Sequence, residues 1–204
     1  EINAFVATGQ TVYVQTGLGW SAMHAGLTLL PFSLGAFVGT GISVPLGMRL
    51  GKVVMVVGAA LQSAATVWVI AVVNGQGDGL STWNLAPALV AAGIGLGMLV
   101  VPLVDVALAT VPTTEAGAAS GAYGTVQQVG AALGVAVIGT VCFGVVGTSY
   151  DAGSLRSGLL AACWVAAGGY ALCALASLFL PSREQVHAHQ EAVERELAEE
   201  PVAV

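Results

Sequence analysis

Long stretches without charge constrain this chain more than any other feature of its sequence. Gly26–Met48 and Val53–Val73 contain no Asp, Glu, Lys or Arg, Leu85–Val111 contains only Asp105, and Ala116–Val146 and Ser157–Leu180 again contain none. A hydrocarbon layer about 30 Å thick is crossed by roughly 20 residues rising 1.5 Å each, so every one of these runs can form a transmembrane helix. Ala116–Val146 is long enough to tilt, and Pro181 closes the last run. Residues 1–17 read as the end of a further span. The runs are too long and too rich in Ala for barrel strands of about ten alternating residues. The expected fold class is all-α: a polytopic membrane helix bundle of about six transmembrane helices, at 1–17, 26–48, 53–73, 85–111, 116–146 and 157–180. Residues 182–204 form a polar, acidic tail.

Composition agrees. Charged residues make up 8% of the chain and apolar types 56%, where a soluble domain is roughly a quarter charged. So few charges cannot cover a water-facing surface. The net charge of −6 mostly describes the tail segment EQVHAHQEAVERELAEE, and the basic face that nucleic acid requires is missing. The 28 glycines have no G-x-y period, which excludes collagen; inside apolar runs they suit helices that approach closely in lipid. Cys142, Cys163 and Cys173 lie within such runs without C-x-x-C spacing and read as small buried apolar residues. His24, His187 and His189 share no cluster with acids or thiols, so no metal and no other cofactor is expected. The opening EINAFVATGQ has no initiator Met and no basic segment ahead of a cleavage site. It reads as a piece whose upstream part is missing.

Orientation follows from the stretch PLGMRLGK (45–52), which places Arg49 and Lys52 between two apolar runs. Short loops rich in Lys and Arg stay on the cytoplasmic side, so this turn is expected inside. Alternation then puts 74–84 and 149–156 outside, and 112–116 and the tail from Ser182 inside. Arg49, Lys52, Arg183 and Arg195 face the cytosol in this arrangement; Arg156 alone does not. Trp20, Trp83 and Tyr150 fall near outer span ends, as aromatic-belt residues do. The expected location is the cell membrane, multi-pass, with the C-terminus cytoplasmic and the lipid bilayer as its surroundings.

Three segments, GLGWSAMHAGLTLLPFSLGAFVGTGISVPLGMRLGK, PALVAAGIGLGMLVVPLVDVALATVP and EAGAASGAYGTVQQVGAALGVAVIGT, together resemble the C-terminal half of a major facilitator superfamily transporter. Within that family the likeness is to the fourteen-span drug:proton antiporters of actinobacteria, and it runs from about Tyr13 to Pro181. The family carries G-x-x-x-D-R-x-G-R-[RK] in the loop between the second and third helices of each half. Arg49, Gly51 and Lys52 match it at the Arg, Gly and final basic positions, whereas Met48 replaces the Asp and Val44 the leading Gly. The resemblance implies a charge-relay role for an intact motif; for this degenerate copy, topological anchoring and a tight turn at Gly51 are the alternative. It also implies two pseudo-symmetric halves, each of inverted three-helix repeats, around a mid-membrane substrate site. The chain would supply one half, its partners being a missing N-terminal helical half, a small-molecule substrate and protons.

Several residues inside the spans are candidates for that work. Asp105 is the one Asp, Glu, Lys or Arg within the five long apolar runs, and an isolated carboxylate there costs several kcal/mol unless neutralised, paired or hydrated. It lies about 9 Å along the helix from Val111, so it either handles protons or substrate, or latches the neighbouring loop or Arg49. On the fourth run Val126, Val129, Leu133, Val137 and Val141 form a bulky stripe suited to lipid. Gln127 and Gln128 belong to a small or polar surface with Gly117, Ser120, Gly121, Gly124, Gly130 and Gly134, as cavity lining or as helix glue. The pairs 117/121 and 130/134 have the spacing for close helix packing. Gln10 and Gln15, near Thr11 and Tyr13, suggest cavity lining in the first helix, which the resemblance places along the central pathway. Pro31, Pro45, Pro87 and Pro102 interrupt the spans; Pro31 and Pro102, with GIGLG (93–97), are either flex points or static kinks.

Two functions remain. One is the C-terminal part of a proton-coupled exporter of drugs or other small amphipathic molecules; the other is a truncated, non-transporting membrane protein or a partner half. An enzyme is not expected, because Ser120 has no intramembrane His to activate it and no other catalytic set is present.

Overall fold

The described residues of the computed structural model are 13–76, 79–108, 111, 115–148 and 151–179, less the side chains at 16, 17, 48, 49 and 108. Among them there is no strand. A π-helical turn, Tyr13–Gly17, precedes α1 (Ala22–Leu27), α2 (Leu30–Leu50), α3 (Lys52–Gln76), α4 (Thr82–Leu108), α5 (Ala116–Val146) and α6 (Ala152–Leu178). Five helical segments, the first joining α1 to α2, are long and apolar enough to cross a membrane. The fold class is all-α, a polytopic bundle. The sixth expected span, 1–17, lies outside the described residues except for its last turn.

Helix boundaries depart from the apolar runs where capping chemistry overrides them. The first run is broken at Thr28 and Leu29, the C-cap of α1 and the N-cap of α2. Pro31 stands in the first turn of α2, where its missing N–H would have had no partner in any case. It therefore opens a helix and does not bend one. Pro102 is buried and carried inside α4 without ending it. α4 is helical through Leu108, and Val111, the last residue of the apolar run, is not helical. α6 begins at Ala152, ahead of Ser157, because the Asp151 carboxylate accepts the backbone N–H groups of Gly153 and Ser154. Gly51 ends α2 with φ 51° and ψ −123°, donating its N–H to the Gly47 carbonyl at 3.1 Å; this left-handed conformation is open to glycine and costly for other residues.

Packing does not follow chain order. α2 lies on α4, α4 on α3, α3 on α6 and α6 on α5, while α2 barely meets α3 and α5 barely meets α4. α2 and α4 run parallel: a Cβ on Gly35 would strike the Val90 carbonyl, and one on Gly39 the Ile94 carbonyl. Reciprocally, Gly93 abuts the Phe32 carbonyl and Gly97 the Thr40 amide. α3 crosses α4 at Gly58 and Gly95, each of whose absent Cβ would lie 2.8 Å from the other's carbonyl oxygen. Lipid offers no hydrophobic drive between helices, so such backbone proximity and the dispersion it permits hold the bundle together.

The core is lopsided. Val69, Ile70, Val73, Leu85, Leu89, Ile138, Val146, Leu155 and Leu159 fill a large cluster where α3 and α5 end and α4 and α6 begin. At the opposite end the core shrinks to Met55, Ala59 and Leu99, with Leu103, Val106, Cys173 and Ala174 against them. Large apolar side chains cover the outside, Phe37 82% exposed and Trp83 84%, a surface suited to acyl chains. Three hydroxyls within the helices bond back one turn, Thr66 to the Gln62 carbonyl, Thr125 to Gly121 and Thr140 to Ala136, so their donors are satisfied in place.

Candidate functional site

The polar residues singled out in the sequence do not converge on one point. Gln10 lies outside the described residues. Gln15 is half-buried in the π-helical turn, whose Tyr13 and Val14 are buried in the large cluster with Leu159, Ala162 and Tyr170 of α6. Asp105 is exposed near the end of α4, beside Leu103 and Val106 of the small cluster. Its suggested pairing with Arg49 falls on a side chain outside the described set. Gln127 and Gln128 are both exposed on α5.

The first half of α5 is the most open part of the bundle. From Ala116 to Gly130 no residue is buried; burial starts at Ala131 and continues at Ile138, Cys142 and Val146, where α6 approaches. Gly158 of α6 abuts Cys142 and Val146, so the two helices meet near their connecting turn and diverge from it. At a helical 100° per residue, Ser120, Gly124 and Gln127 share the face of Ala131 and Ile138. They continue the α6-facing surface beyond the point where α6 covers it. Gly117, Gly121 and Gly130 have nothing within 4 Å of a built Cβ. Among the described residues nothing packs closely on Gly117, Gly121 or Gly130, whose spacing allows such contact; Gly134 is half-buried. The glycines that pack include Gly35, Gly39, Gly93 and Gly97 between α2 and α4, Gly58 and Gly95 between α3 and α4, and Gly158 against α5.

Lys52 Nζ donates to the Leu178 carbonyl at 3.2 Å, at the end of α6, where a cation meets both an orphan carbonyl and the negative end of the helix.

Three polar features escaped the sequence reading. Gln62 (1% exposed) and Thr66 are buried midway along α3, with Gln62 against Gly95 of α4. Next to them Ser63 Oγ donates to the Ala167 carbonyl at 2.9 Å. Their polarity inside an apolar run was the available signal. At the other end Arg156 Nη2 donates to the Asn74 carbonyl at 2.7 Å. Nearby, His24 stacks on Trp20 with ring centroids 4.2 Å apart, and its Nε2 lies 2.9 Å from Thr82 Oγ1. Thr28 gives its one hydroxyl proton to the His24 carbonyl, so it can only accept from Thr82 at 3.3 Å. Thr82 in turn accepts from His24 Nε2–H. This chain of bonds fastens α1 to the start of α4.

Chemically, Gln127 and Gln128 present uncharged donors and acceptors on an uncovered, small-residue surface. Such a surface suits reversible contact with a partner or a small molecule.

Comparison with known proteins bears on this arrangement. The Major Facilitator Superfamily model matches residues 2–202. The chain is 36% identical over 151 residues to a "Probable actinorhodin transporter" of Streptomyces coelicolor, covering 72% of this chain and 26% of that protein. It is 36% identical over 135 residues to the puromycin resistance protein pur8 of Streptomyces alboniger, covering 66% and 27%. It is 27% identical over 168 residues to the quinolone resistance protein NorB of Staphylococcus aureus, covering 76% and 33%. The chain spans about a quarter of the length of the first two relatives. With the family model matched along almost its whole length and a bundle of long apolar helices to match, this chain is a multi-pass membrane protein of the Major Facilitator Superfamily.

Proposed function

We propose that this chain is the C-terminal membrane half of an exporter that moves drugs or other small amphipathic molecules out of the cell in exchange for protons. The observation that carries the reading is its likeness, over these same helices, to proteins named for actinorhodin transport and for puromycin and quinolone resistance. The uncovered first half of α5 supports it: Ser120, Gln127 and Gln128 would form one wall of a central pathway completed by helices of the N-terminal half. The bundle is loose at the end where α5 begins and tight at the other. With Arg49 and Lys52 inside, the loose end would face the cytosol, and the C-terminus would be cytoplasmic. Asp105, near that inner end, is the candidate proton carrier.

The test uses the full-length transporter in inverted membrane vesicles with ethidium or puromycin as substrate. An imposed proton gradient should drive uptake, and a protonophore should abolish it; no uptake with either compound would refute the reading. Asp105→Asn should lower gradient-driven uptake at unchanged expression. Equal uptake by this variant across the pH range would remove Asp105 from the mechanism.

A further inference from the structure

α3 and α6 are bonded to each other at three levels. Lys52 Nζ reaches the Leu178 carbonyl at one end, Ser63 Oγ the Ala167 carbonyl in the middle, and Arg156 Nη2 the Asn74 carbonyl at the other end, with Asn74 Oδ1 3.3 Å from the same nitrogen. From level to level the α3 position advances through 52, 63 and 74 while the α6 position retreats through 178, 167 and 156. Each step of eleven residues is close to three helical turns, so all three levels stand on one face of α3 and span about 33 Å, roughly the thickness of a bilayer core.

One symmetry relates the levels. A shift of 104 residues, the separation of Ser63 and Ala167, carries Lys52 onto Arg156 and Asn74 onto Leu178. The cation at the start of each helix therefore serves a carbonyl in the last turn of the other, and the Ser63–Ala167 contact maps onto itself. Each cation satisfies an acceptor that the helix end leaves over and complements the helix dipole. This also accounts for Arg156, the one basic residue that the charge rule leaves on the outer side. It stands there as the counterpart of Lys52.

The neighbouring α2–α4 interface is built differently. It is backbone against backbone through Gly35, Gly39, Gly93 and Gly97, a contact without side-chain interlocks at those four positions. We propose that Lys52 and Arg156 are paired residues, each capping the last turn of the other's helix, that together with Ser63 lock α3 and α6 into one rigid spine. It keeps its register while α2, α4 and α5 shift, with Lys52 and Arg156 as its positioning residues. The statement about the working cycle rests on the transport reading; the spine itself does not.

The test is made on the full-length transporter with Cys142, Cys163 and Cys173 replaced by Ala, and with Ser63→Cys and Ala167→Cys added. A disulfide should form nearly to completion in membranes with and without a proton gradient, as read by mass spectrometry of the bridged peptides. Ethidium uptake by the bridged protein should stay within about twofold of the reduced protein. A bridge that fails to form, forms in only one of the two conditions, or arrests uptake until dithiothreitol is added would overturn the proposal. Wild-type protein that moves neither ethidium nor puromycin would refute the transport reading alone, leaving bridge formation to decide on the spine. Independently, Lys52→Met and Arg156→Met should each lower the melting temperature by about 2–4 °C, with recovery in Lys52→Arg and Arg156→Lys. Unchanged melting in both Met variants would also overturn it.

Discussion

α2 and α5 carry the same motif and use it differently. Gly35 and Gly39 of α2 meet Gly93 and Gly97 of α4 so closely that an added Cβ would collide with backbone. Gly117 and Gly121 of α5, at the same spacing, face open space. Both helices are long, apolar and rich in small residues, so composition does not separate them. The difference lies opposite. α2 runs parallel to a helix whose own glycines fall in register with it, and two flat surfaces make a close contact. The first half of α5 has no such partner among the described residues. Gly-x-x-x-Gly marks a surface capable of close approach, and only the facing helix decides whether the approach is made.

The comparison breaks most easily at Gly93. A Leu there must displace the Phe32 carbonyl and the Ala36 amide, main-chain atoms that cannot rotate away. We expect Gly93→Leu to cost about 3 kcal/mol or more and to abolish the monodisperse peak in detergent size-exclusion chromatography. Gly121→Leu should change stability by no more than about 0.5 kcal/mol, as an exposed position does. Equal damage from the two would mean that α5 is packed as tightly as α2.

The second expected effect is on function at preserved stability. Gln127→Leu and Gln128→Leu alter side chains that the bundle leaves exposed, so melting should not move. If this surface lines the pathway, ethidium uptake by the full-length protein should fall about three- to tenfold, the worth of one lost hydrogen bond. Unchanged uptake in both variants would assign the exposed face of α5 to lipid.

The same contrast shows what was legible in the sequence. The all-α membrane class could be read because charge-free length is a property of single segments and needs no partner. The turn at Gly51 could be read for a related reason, since backbone conformation there depends on the residue itself. Glycines that make contact, buried polar residues and capping cations depend on which helices are neighbours, and the packing order α2, α4, α3, α6, α5 is not written along the chain. Gln62 and Ser63 lay in plain view inside an apolar run. Their role became visible only when Gly95 and Ala167 were found opposite them. Lys52 was legible as a cation at a turn, but not as the cap of a helix that ends 126 residues later. Asp105 and Gln127 were legible as chemistry out of place in lipid, a property of each residue within its own run.

The smallest effect concerns two acidic residues at helix starts, where one signal is again used in one place and idle in another. Asp151 caps α6: its carboxylate accepts from Gly153 N–H at 3.1 Å and Ser154 N–H at 3.4 Å, and from the Ser154 hydroxyl. Glu115 occupies the same position before α5 and makes no side-chain cap; its N-cap backbone lies at φ −107° and ψ 0°, whereas that of Asp151 is extended, the form that aims a short side chain at the first turn. The Ser154 hydroxyl, with smaller help from backbone N–H groups, holds the Asp151 carboxyl below its ordinary value. A carboxyl whose pKa is lowered by folding stabilises the fold above its unfolded value, near 3.9, and loses that contribution as the pH falls through the folded value. Asp151→Ala should therefore lower the melting temperature by about 2 °C at pH 7 and at pH 5, while Glu115→Ala should not. The gap between the two variants should close as the pH is taken well below 4. A gap that persists in acid would show that Asp151 acts through its uncharged form, and an equal loss from Glu115→Ala at neutral pH would show that α5 is capped after all.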